Sequence, residues 1–133
     1  MQYLLDTSIC IFFLRGELDL KDRIYQIGRE NCFISEISVF ELKYGAENSN
    51  NPKKSHKAVN DFLKGLSIIP IYECVDLYAK EKTRLRKQGT PMHDEFDLLI
   101  GISALKNNLT LVTDNEKDFR FLDGLIIDNW NRI

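Results

Sequence analysis

DEFDLLIGISALKNNLTLVTDNEKD, residues 94 to 118, runs from a helix start through an apolar helix to a short strand and a polar turn. Asp94 stands where a helix N-cap would, and Asp97 follows at the positive end of the helix dipole. Leu98, Leu99, Ile102 and Leu105 fill most of the remaining surface, so the helix is expected to be buried nearly all round. Asp97, Gly101 and Ala104 share one side, and two small residues beside an acid predict room for a ligand to approach it. Leu109 to Val112 then reads as a short strand, ending at the polar turn Thr113-Asp114-Asn115. In an α/β sheet such a turn lies at the carboxyl edge of the strands, where ligands bind.

Upstream, the same grammar repeats. Tyr3-Leu4-Leu5 is a short apolar run ending at Asp6, and Thr7 or Ser8 is placed to cap a helix whose stripe is Ile9, Phe12 and Phe13, closed by Gly16. A second helix is expected from Asp19 to Arg29 and a second strand at Cys32-Phe33-Ile34. Ser35 and Ser38 open the next helix, whose periodic stripe Ile37, Phe40, Tyr44 is completed by Glu41. A carboxylate in a core-facing slot is costly to bury unpaired, which predicts a cation facing it.

Asn48 to Pro52 is a loop by composition. Lys53 to Leu66 reads as a basic amphipathic helix, Ser67 to Ile71 as a third strand, and Glu73 to Gln88 as a helix with Leu77, Tyr78 and Leu85 inward and Lys80, Arg84 and Lys87 outward. Leu125-Ile126-Ile127 supplies a fifth strand. Short strands alternating with helices predict a single α/β domain, a three-layer α/β/α sandwich around a parallel sheet of about five strands with right-handed crossovers.

At 133 residues the chain is long enough to bury a core without a disulfide. Three cysteines with no C-x-x-C pair point to buried, reduced thiols and a cytoplasmic protein. The apolar start carries Asp6 and has no basic leading region, so it is read as structure rather than a signal peptide. No uncharged apolar run reaches the length of a membrane span. Net charge is −2, yet residues 51 to 90 hold nine Lys or Arg against four Asp or Glu, a local +5 that leaves −7 elsewhere. A basic flank beside an acidic centre is the expectation. Lys80, Arg84, Arg86 and Lys87 are either a solvated helix face or an RNA-backbone footprint.

Asp6, Glu41 and Asp97 are each expected near a strand's carboxyl end or on an inward helix face. If they meet, three like charges need cations, and carboxylates without His or Cys select a hard ion, Mg2+ or Mn2+. Such an ion activates water and neutralises charge on a phosphate, which is the chemistry of phosphodiester hydrolysis. The D-x-D pair of a haloacid-dehalogenase-like phosphatase and the glycine loops of nucleotide-binding modules are absent.

LLDTS at the start, FELKYG around Glu41, FDLLIGISAL around Asp97 and LVTDNEKDF around Thr113 resemble, in order and spacing, the PIN-domain ribonucleases, specifically the VapC-type toxins of bacterial toxin-antitoxin pairs. The resemblance covers essentially the whole chain. It implies a Mg2+-dependent endoribonuclease (Mn2+ being an alternative) with Asp6, Glu41 and Asp97 as metal-binding catalytic acids and Thr113 and Thr7 or Ser8 as polar helpers. It further implies a cognate antitoxin that plugs the site, and a homodimer. The ending GLIIDNW is similar to members that cut initiator tRNA in its anticodon loop. Many relatives carry a fourth acid in the segment after Thr113. Here Asn115 takes the first such position and Asp118 the second, with Asp114 between Thr113 and Asn115; Asp118 is favoured, with Asn115 assisting. Asp94 is expected as a cap, His93 as a candidate proton donor, Tyr44 as a core residue and Trp130 as a candidate base-stacking ring. The rival reading is an inactive partner-binding protein on the same fold.

Overall fold

The computed structural model describes residues 1 to 131. Five strands, β1 (Tyr3–Leu5), β2 (Cys32–Ser35), β3 (Ser67–Ile69), β4 (Thr110–Val112) and β5 (Ile127–Asp128), form one all-parallel sheet in the order β3-β2-β1-β4-β5. Seven α-helices accompany them: α1 (Thr7–Leu14), α2 (Leu20–Ile27), α3 (Glu36–Glu47), α4 (Pro52–Leu63), α5 (Val75–Gln88), α6 (Glu95–Lys106) and α7 (Glu116–Phe119). Strand pleating sends alternate side chains to opposite faces. Leu4, Phe33 and Leu111 therefore join the core beneath α5, α6 and α7, while Leu5, Ile34 and Val112 join the core beneath α1 to α4. Helices on both faces are what a parallel sheet requires, and the architecture is the expected three-layer sandwich.

The chain winds outward from β1 through β2 to β3, then returns to the other side of β1 at β4. That reversal opens a crevice at the carboxyl ends of β1 and β4, where Asp6 and Thr113 follow their strands. Asp6 N–H bonds to the Val112 carbonyl at 2.9 Å and Thr113 N–H to the Asp128 carbonyl at 3.1 Å, so the backbone leading into the crevice is tied across three strands.

Several elements differ from their sequence expectation. Asp6, not Thr7 or Ser8, caps α1, with extended backbone and its carboxylate accepting the Thr7 N–H at 2.8 Å. Helix α4 starts at Pro52, capped by Asn51, and stops at Leu63 before Gly65, whose φ of +82° breaks it ahead of Leu66. β3 ends at Ile69 and β5 starts at Ile127, each shorter than its apolar run. In α3 the inward side chains are Ile37, Ser38, Leu42 and Ala46, while Phe40 and Tyr44 are 65% and 73% exposed. Small Ser38 and Ala46 let this helix lie close, whereas periodicity counts only large residues. Tyr44 is thus not a core residue. Trp130 is, at 4% exposure, edge-on to Tyr3, beneath the Arg23 guanidinium and donating to Asp128, which removes it as a base-stacking ring.

Gly101 corrects another expectation. A Cβ built there would stand 2.4 Å from Leu122 Cδ1 and 3.3 Å from Phe119 Cδ1. The space beside Asp97 is taken by the residues that dock α7, so the small side chain serves packing rather than ligand approach. Gly101→Ala should accordingly cost about 1–3 kcal/mol of stability in urea unfolding.

Candidate active site

Asp6 is 3% exposed, and both of its oxygens are engaged. Oδ1 accepts the Thr7 N–H; Oδ2 accepts the Thr113 hydroxyl at 2.7 Å and, at 3.5 Å, the Ser8 hydroxyl. Burial is the main force raising its pKa, with Glu41 and Asp114 adding to it, while the bonds from Thr113 and Thr7 work in the opposite direction. The Cys10 thiol behind it is fully buried and held well above its usual pKa by that burial and by Asp6, so it stays protonated and inert. All three cysteines are free and buried.

Glu41 sits half-buried at the edge of α3. Its partner is a hydroxyl rather than a cation: Thr7 Oγ1 donates to Glu41 Oε1 at 2.7 Å. With that proton committed, the fully buried Ser38 hydroxyl, 2.8 Å away, donates to Thr7. A relay Ser38 to Thr7 to Glu41 therefore fixes the carboxylate. In the sequence Ser38 is legible only as a helix-opening residue; its position three residues before Glu41, one helical turn, is the signal for this role.

Asp97 lies on the first turn of α6, its N–H bonded to Asp94 Oδ1 at 3.1 Å, which makes Asp94 the expected cap. The Asp97 carboxyl is pushed up to about 7, first by burial and then by Asp6, Asp94, Glu41 and Asp118. A 310 Å³ pocket joins Asp94, Asp97 and Asp118 to His93, Lys117 and Phe121. Asp114 and Asp118 both take part, at different ends: Asp114 acts on Asp6, Asp118 on Asp97. Asn115 opens α7 without a side-chain cap, and its N–H bonds back to the Thr113 hydroxyl at 3.0 Å.

Asp6, Glu41 and Asp97 thus feel one another's charge, and among the described residues none of these three, nor Asp114 or Asp118, forms an ion pair with Lys, Arg or His. Asp114 Oδ1 is buried with no hydrogen-bond partner. An orphaned carboxylate oxygen beside a second buried carboxylate, in an all-oxygen donor set, fits a hard divalent cation. Among the described residues no three His, Cys, Asp or Glu close on a common point as a ready-made metal cage.

A parallel sheet with unneutralised acids at its topological switch point is an arrangement suited to metal-assisted hydrolysis of a phosphodiester. The PIN domain profile matches residues 3–125. Ribonuclease VapC2 of Rickettsia felis is 33% identical over 99% of this chain and 100% of its own length, and the tRNA(fMet)-specific endonuclease VapC of Shigella flexneri is 26% identical over 98% and 99%. The solved VapBC2 of Rickettsia felis, bound to a DNA fragment from its promoter, superposes with a TM-score of 0.89 at 32% identity, covering 98% of this chain and 99% of that one. The chain belongs to the PIN-domain family of nucleases, in its VapC ribonuclease branch.

The raised carboxyl of Asp97 has a thermodynamic consequence in the metal-free protein. Its ordinary value is 3.8 and its folded value about 7, so between these the folded state keeps a proton that the unfolded chain has released. Stability should therefore be greatest at or below about pH 4 from this group and fall as pH rises toward 7. Asp97→Asn should flatten that decline in urea unfolding with EDTA present.

Proposed function

We propose that this chain is a divalent-metal-dependent endoribonuclease toxin, using Mg2+ or Mn2+, that acts in the cytoplasm on tRNA and is silenced by a cognate antitoxin. The observation that carries the reading is the set of mutually repelling, unpaired carboxylates around Asp6 and Asp97. Acids pushed together without cations gain from a bound ion and otherwise only cost stability. Membership in the VapC branch supports RNA as the substrate class. The Shigella and Salmonella relatives named as tRNA(fMet)-specific endonucleases support tRNA.

A bound divalent ion would supply an activated water and neutralise the charge that builds on the scissile phosphate. The protein's part is placement. Asp6, locked by Thr7 and Thr113, and Asp97, anchored through the Asp94 cap, would bind the ion, with Asp114 Oδ1 free to contribute. Glu41 is held in register by Thr7 and Ser38 to orient water, and Asp118 flanks Asp97 at the pocket wall.

Inhibition follows from the same charges. Beside Thr7 and Glu41 runs a 540 Å³ apolar groove lined by Ile11, Phe40, Tyr44 and Phe96. An antitoxin segment lying there would deliver a Lys or Arg to the carboxylates and occupy the place of the cation. A homodimer is proposed from the resemblance. The relatives solved as VapBC complexes from Rickettsia felis and Salmonella typhimurium are bound to DNA.

Purified protein should cut RNA in millimolar Mg2+ or Mn2+ and stop in EDTA. Asp6→Asn and Asp97→Asn should each lose about 100-fold or more, roughly 3 kcal/mol of barrier, with the fold intact by circular dichroism. Cleavage that survives EDTA would overturn the metal mechanism, and no cleavage under any metal would leave the inactive partner-binding protein as the answer. Metal should also raise the melting temperature, since a ligand at 100 times its Kd adds about 2.7 kcal/mol.

A further inference from the structure

The basic stretch noted in the sequence divides into two kinds of residue. Arg84 is committed to structure: it pairs with Glu81 through Nε at 3.0 Å and Nη2 at 2.8 Å, reaches Asp123 at 3.4 Å and Gln88 at 3.0 Å, and donates to the Phe121 carbonyl at 2.7 Å. Lys80 and Lys87 are exposed and, among the described residues, make no ion pair. They stand at i and i+7 on α5 with Arg84 between them, about 10.5 Å apart along the helix axis. Together with Ala79, Thr83 and Gln88 they line an open 730 Å³ concavity that has no acid in its wall. Arg84 offsets part of the charge of Glu81 and Asp123 at its margin, while the two lysines keep their own charge unpaired.

This concavity and the active-site pocket meet at one hydrogen bond, from Arg84 on the wall of the first to Phe121 on the wall of the second. Phe121, whose carbonyl Arg84 holds, lines the pocket containing Asp97 and Asp118. Lys117, also exposed and free of ion pairs among the described residues, stands on that pocket's wall. Lys117 on one side of the Arg84–Phe121 bond and Lys87 and Lys80 on the other thus carry unpaired positive charge on both walls. We propose that this line of lysines is the track along which substrate RNA leaves the acid centre, Lys117 meeting the phosphates nearest the cut and Lys87 and Lys80 those farther along a single strand. The proposal rests on RNA being the substrate. A polyanion needs such a path because the centre itself repels phosphate until it holds a cation, and bonds to phosphate oxygens position a strand without reading its sequence.

The test uses a short fluorescein-labelled single-stranded RNA in Mg2+. Binding is measured on the Asp97→Asn background and cleavage on the otherwise native chain. Lys80→Ala/Lys87→Ala should weaken binding about tenfold and reduce the slope of log affinity against log salt by about 1.4, near 0.7 for each phosphate that is no longer neutralised. In cleavage the same pair should raise KM with kcat unchanged, because these lysines hold the strand equally in ground and transition states. Lys53→Ala/Lys54→Ala, equal in charge change but on α4, should alter neither. If the α5 pair leaves affinity, salt slope and KM at native values while the native chain cuts RNA, the track is wrong and the lysines are a solvated face. If the native chain cuts no RNA, the nuclease reading fails instead, and the two failures are distinct.

Discussion

Everything in this molecule turns on keeping carboxylates close together against their mutual repulsion. The parallel sheet achieves this because its chain reverses direction around β1, leaving the ends of β1 and β4 side by side with no crossover helix between them. Asp6 is pinned there by two groups that any folded copy must supply, the first N–H of α1 and the hydroxyl that follows β4. Those bonds lower the cost of burying the charge without cancelling it. The remaining repulsion is balanced by the two hydrophobic layers on either side of the sheet, whose burial is the dominant favourable term in folding.

This arrangement trades stability for function in a recognisable way. A carboxyl shifted to about 7 is a group the fold would be more stable without. Groups so perturbed cluster where chemistry happens. The hydroxyls of Ser38, Thr7 and Thr113 form a dry scaffold that sets the direction of Glu41 and Asp6 while adding no charge, which leaves the electrostatic balance to be settled by whatever cation arrives.

Much of this is readable in the sequence, and the parts that are not have physical causes. Alternating short apolar runs and helical stripes give the layers, an acid at a strand end gives Asp6, and an acid on the first turn of an otherwise apolar helix gives Asp97, because a buried charge is rare enough to stand out. Phe40, Tyr44 and Gly101 mislead for one reason: periodicity ranks residues by size and polarity, whereas α3 and α6 pack through their smallest side chains, Ser38, Ala46 and Gly101. Trp130 reads as an outside ring because Tyr3 and Arg23, which hold it inside, lie over a hundred residues earlier. Asp114 and Asp118 cannot be separated by spacing, since both act on the site: Asp114, in the turn before α7, on Asp6, and Asp118, on α7, on Asp97.

The bond between Thr113 and Asp6 spans 107 positions of chain, and the strand that carries Thr113 is itself clamped by β5. Pairings of such long range form slowly and only after loops have closed. A growing polypeptide that has emerged through α5 owns Asp6 and Glu41 but neither Asp97 nor the hydroxyl that seats Asp6. Completion of the acid centre is thereby coupled to closure of the sheet: no partly folded chain lacking β4 can seat Asp6 as the folded protein does.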